Sequence, residues 1–118
     1  MAEEEEWPPP EARLTSALWR AEGHLERREF FAAARALDQA RGLGENAFVA
    51  ALRHLAAAGY RAQTGERERA LRQLEHARRR LAPFLPERRE IELEPLLDAV
   101  GLVVESADDN PDGDTELA

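Results

Sequence analysis

The chain has 118 residues, 24 acidic and 16 basic side chains and a net charge of −8, enough for one domain around one core. It contains no cysteine, which excludes a disulfide framework and a thiolate metal site. The longest apolar run, residues 96–104, includes Asp98 and is too short to span a bilayer, and four glutamates at positions 3–6 replace the basic start of a signal peptide, so a soluble, cytoplasmic protein is expected.

The acidity is concentrated at the two ends. Residues 1–6 hold four acids and residues 105–118 hold six, with no base among them, which leaves 14 acids against 16 arginines in between, about +2. Residues 1–9 and 105–118 therefore read as disordered acidic tails around a folded domain at 10–104. Trp7 is the one large apolar group in the first tail.

Pro10 suits the first turn of a helix, where a missing N–H costs nothing. Leu14, Leu18, Ala21 and Leu25 then recur at helical spacing, with Trp19 beside the stripe. The charged run 26–29 marks a turn. A second helix follows with Phe30, Ala33, Ala34, Leu37 and Ala40 on one side, stopped by Gly42. Asn46 is the expected N-cap of a third helix carrying Phe48, Ala51, Leu52, Leu55, Gly59 and Ala62. Thr64 and Gly65 break it, and a fourth helix presents Ala70, Leu71, Leu74, Ala77 and Leu81 before Pro83 and Pro86. The short connection makes the third and fourth helices an antiparallel hairpin, with Ala51, Ala58, Ala70 and Ala77 at the contact. Residues 87–92 are charged except Ile91. A fifth helix is expected from about Pro95 through Leu96, Leu97 and Val100. Gly101 either caps it or lies inside it, and residues 102–104 are helical or extended.

The fold class is therefore all-α, a bundle of about five helices with a central antiparallel hairpin. A tetratricopeptide-like arrangement is the runner-up, because Ala21, Glu29, Ala33, Leu37 and Ala40 match Ala58, Glu66, Ala70, Leu74 and Ala77 at a constant offset of 37.

No residue pattern amounts to a catalytic, cofactor or metal site. His24, His54 and His76 have no ligand spacing, although His54 and His76 are equidistant from Gly65 and fall at similar heights on the hairpin. Ser16 and Ser106 lie in no nucleophile elbow. The Gly42-Leu43-Gly44 loop lacks the lysine of a phosphate loop, and Glu22, Glu26 and Glu29 read as a solvated face. Arg69, Arg72, Arg79 and Arg80 form a basic stripe, but Glu66, Glu68 and Glu75 interleave it and no aromatic residue within it offers a base-stacking surface. The acidic tails would also compete for its arginines.

Residues 14–100 resemble the small bacterial and archaeal family called domain of unknown function 309. The core of the resemblance is FVAALRHLAAAGYRAQTGERERALRQLEHARRRL at 48–81, with Tyr60 and the turn Gly65. Where that family carries a His-Glu pair, a Leu-Glu and a tryptophan, this chain has Ala34-Arg35, Leu37-Asp38 and Arg41. The resemblance implies a helical fold and no particular reaction. Taken together, these readings favour a non-enzymatic helical domain acting on a protein partner or as a homodimer, without cofactor, membrane or inferable small-molecule substrate. The alternatives are a metal-dependent or hydrolytic enzyme, and an arginine-mediated nucleic-acid binder gated by acidic tails.

Overall fold

The computed structural model describes residues 7–108; the expectations for residues 1–6 and 109–118 lie outside that range. Five helices form the bundle: α1 (Pro10–Glu26), α2 (Phe30–Ala40), α3 (Asn46–Gln63), α4 (Arg67–Leu81) and α5 (Leu93–Glu105). A two-stranded antiparallel hairpin, β1 (Glu87–Arg88) and β2 (Ile91–Glu92), joins α4 to α5 after a 3-10 turn. No described helix is long and apolar enough to cross a membrane.

The apolar stripes become the core. Leu14, Leu18, Ala21 and Leu25 of α1 are fully buried, as are Phe30, Ala33, Leu37 and Ala40 of α2. In α2, Ala36 takes the core position expected of Ala34, which is only half-buried. The central helix is α3, packed against α2, α4 and α5, and half of its residues are buried. Ala51, Ala58, Ala70 and Ala77 are all fully buried. On the side of α2 the approach is closer still. A Cβ built on Gly59 would lie 2.5 Å from the ring of Phe30, so the ring packs on bare helix backbone.

The two helical hairpins end their first helices in the same way. After α1, Arg28 has a φ of 64°, its N–H bonds to Leu25 O, and the Glu29 N–H bonds to His24 O. After α3, Gly65 has a φ of 83°, its N–H bonds to Ala62 O, and the Glu66 N–H bonds to Arg61 O. Both are Schellman motifs. In each, a polar side-chain contact stands where a hydrophobic contact usually closes the motif: the His24–Glu29 hydrogen bond at 2.7 Å and the Arg61–Glu66 ion pair at 3.4 Å. All of these residues obey the offset of 37. The helix α5 touches α1, α3 and α4, which makes the whole a closed bundle rather than an open stack.

One local expectation needs correction, and two segments that the sequence left open are defined. Asn46 is the first residue of α3 and makes no capping bond; the cap position is Glu45, in a left-handed conformation with a φ of 52°. Its carboxylate instead accepts hydrogen bonds from Arg88 at 2.9 Å and Arg89 at 3.2 Å. Residues 87–92 form a hairpin turning on Arg89 and Glu90, both with positive φ (53° and 67°), and Ile91 is fully buried. Finally, α5 starts at Leu93, two residues before Pro95, and includes residues 102–104 and a buried Gly101. Ala107 packs on the core, so folded structure passes the boundary expected at 104.

Two substitutions test this packing. Gly59→Ala should displace the Phe30 ring and lower stability by about 1–3 kcal/mol, the usual range for overpacking; an unchanged urea midpoint would refute the close approach. Arg28→Gly should raise stability by about 0.5–1 kcal/mol by relieving a left-handed non-glycine residue, while Gly65→Arg should lower it.

Candidate functional site

Along α3, Ala50, Arg53, His54, Ala57 and Arg61 are half-buried and Tyr60 is exposed. At its C-terminal end, Tyr60 meets Phe31 of α2, with ring centroids 6.0 Å apart and planes tilted by 42°. Phe31 is 61% exposed and Tyr60 45%, so two large aromatic groups share one patch of surface. Phe31 follows Phe30 about 100° further round the helix, and while Phe30 is buried Phe31 stays exposed. The antiparallel course of α2 and α3 then sets the outward ring against Tyr60.

Further along the same face lies a groove of about 260 Å³, below the size that encloses a drug-like ligand (about 300 Å³ or more). Its floor is Leu37, Val49, Ala50 and Ala57, and its rim includes Arg41, Arg53 and His54. Asp38 organises the rim. Its carboxylate accepts hydrogen bonds from Arg53 at 2.8 and 3.3 Å and from Arg41 at 3.2 Å. The Arg53 bond, chiefly, holds the Asp38 pKa below its ordinary value. The groove is thus apolar below and cationic at the edge.

The hairpin brings His54 and His76 together, ring centroids 4.4 Å apart and nearly perpendicular. Gln73 Nε2 donates to His54 Nδ1 at 2.7 Å, and Arg80 Nε donates to His76 Nε2 at 3.0 Å. Each imidazole therefore accepts a bond at that nitrogen. Burial, then the neighbouring His76, Arg80 and Arg53, push the His54 pKa below 6.5. No carboxylate is among these partners, and no group of three or more metal-ligating side chains occurs among the described residues. His24 stands apart, bonded to Glu29. That bond, followed by the one from Arg27, lowers the Glu29 pKa.

The remaining residues singled out in the sequence do not converge. Ser16 lies exposed on α1 and Ser106 just beyond α5. Gly42 and Gly44 turn a connector, and a Cβ on Gly44 would meet Leu14 at 3.3 Å. Trp19 is half-exposed on α1 among Thr15, Ser16 and Gly23, a surface lined by one helix and hence a face rather than a cavity. Glu22 has a raised pKa, from burial first and then from Glu26 and Glu92. The aromatic pair went unread in the sequence because its two members are 29 positions apart and meet only through packing.

Because the folded state disfavours the His54 imidazolium, the unfolded chain binds more protons at this site below pH ~6.5. Stability should therefore fall as pH drops from 7.5 to 5.5. His54→Gln should flatten that part of the profile; equal slopes for both proteins in urea titrations would contradict the assignment.

Compared with protein-family models, curated proteins and solved structures, the chain matches none.

Proposed function

We propose that this chain is a helical interaction module that docks a protein partner, or a second copy of itself, on the α2–α3 face, with no chemistry of its own. The observation that carries this reading is the Phe31–Tyr60 pair, two aromatic side chains 6.0 Å apart and each about half in solvent. Aromatic and arginine side chains dominate binding hot spots, since they offer large contact area and directed hydrogen bonds together. Arg41 and Arg53 stand over the apolar groove on the same face. Leaving two such rings in water is unfavourable by the area they expose, and a partner would relieve that. Membership of the domain of unknown function 309 family and a cytoplasmic setting belong to the same proposal. The helical hairpins support the first, and the absence of a membrane-crossing helix among the described residues is consistent with the second.

The test compares wild type, Phe31→Ala/Tyr60→Ala and Trp19→Ala. All three should unfold within a few degrees of one another, because each side chain removed is at least 45% exposed. Self-association by sedimentation, or retention of a cellular partner, should weaken at least about tenfold in the double variant, some 1.4 kcal/mol, and persist in Trp19→Ala. Equal behaviour of all three would sink the proposal.

A further inference from the structure

We infer that the arginine basin on α3 and α4 is the docking surface of this chain's own acidic segment 108–118. The basin is lined by Arg61, Arg69, Arg72, Gln73, His76 and Arg79. Three carboxylates serve its four guanidinium groups. Arg61 and Arg69 share Glu66 at 3.4 and 3.2 Å. Arg72 and Arg79 approach Glu68 and Glu75 only to 3.8 and 3.9 Å, too far for a hydrogen bond. A guanidinium carries five donors, and open ion pairs of this kind hold it weakly. The basin therefore keeps hydrogen-bonding capacity for further anions.

The positive charge of α4 is only partly matched within its own helix. Between Arg67 and Leu81 it has six arginines against two glutamates. Arg78, Arg79 and Arg80 lie in its last turn, where cations complement the helix dipole. Arg61 likewise lies in the last turn of α3, but that account does not reach Arg69 or Arg72, which sit elsewhere on the basin. Residues 108–118 supply the opposite sign, with five acids (Asp108, Asp109, Asp112, Asp114 and Glu116) and no base.

Geometry makes the match intramolecular. The second half of α5 lies on α4: a Cβ on Gly101 would sit 3.2 Å from the Arg78 guanidinium. The 11 residues 108–118 could extend about 35 Å, whereas the 15 residues of α4 span about 22 Å. The segment is thus tethered to the helix that packs on α4, with a contour length greater than that of α4, and tethering raises its effective concentration far above that of a free anion. Nucleic acid fits less well, because no aromatic side chain lines the basin to stack bases.

The full-length chain, which has no cysteine, can carry a single spin label through Thr115→Cys. At about 0.01 M salt the label should broaden the amide resonances of residues 69–79 and spare those of α1. The effect should disappear at about 1 M salt, where screening shortens to about 3 Å. It should also disappear when Asp109, Asp112 and Asp114 become Asn and Glu116 becomes Gln, and weaken in Arg69→Gln/Arg72→Gln. Circular dichroism checks that each variant keeps its helices. Uniform broadening, or broadening that survives neutralisation of the segment, would overturn the inference. So would equal broadening in an isotope-labelled chain mixed with a spin-labelled copy, which would assign the basin to a second molecule. Oligodeoxythymidylate should bind the neutralised variant at least about tenfold more tightly than wild type at low salt, because the tethered competitor is gone; equal binding would show the basin unoccupied by the segment.

Discussion

The contact of the Phe30 ring with the bare backbone at Gly59 governs how the two helical hairpins meet. Any side chain on Gly59 would fall within 2.6 Å of the ring atoms, so the distance between α2 and α3 is set by a missing Cβ. Glycine inside a helix costs about 0.5–1 kcal/mol relative to alanine, and here close packing of a fully buried aromatic ring offsets it. The same contact fixes the rotation of α2. With Phe30 turned inward, Phe31, about 100° further round the helix, is left exposed and joins the proposed interaction face.

How much of this was readable in the sequence depended on the range of the interactions. The stripes on α1, α3 and α4 are local, repeat every three or four residues and stand as expected, as do the glycine turns at 42 and 65. The hairpin at 87–92 carries no such sign. Its turn uses Arg89 and Glu90 where Asn-Gly is the usual signal. What holds it is distant in sequence, since Arg89 bonds to Thr15 and Glu11 of α1 and to Glu45 before α3. Asn46 misled for a related reason. The connection before α3 is secured by the carboxylate of Glu45, held by arginines more than 40 residues away, which replaces the side-chain cap that asparagine would provide.

Electrostatics in this molecule works chiefly at joints. Glu29 and Glu66 close the two hairpin turns, and Glu45 ties the α2–α3 connection to the β-hairpin. Each is a carboxylate near a helix start, where the dipole favours negative charge. That the first turn uses Arg28 where the second uses Gly65 shows how far tertiary context can override backbone preference: the Arg28 carbonyl also accepts a bond from the Gln63 side chain at 3.0 Å. The ion pairs along α4, by contrast, join no two elements, and their arginines remain open to other anions.

The placement of α5 limits the surface that the proposed docking face could offer a partner. That helix packs against α1, α3 and α4 and so closes the described bundle. The exposed α2–α3 surface is only as long as the 11 residues of α2, about 16 Å. An extended strand gains roughly 3.3 Å per residue, so such a surface can hold about five residues of a stretched peptide, or three turns of a helix. Recognition at that scale is punctate: discrimination must come from one or two deep side-chain contacts rather than from a long sequence register.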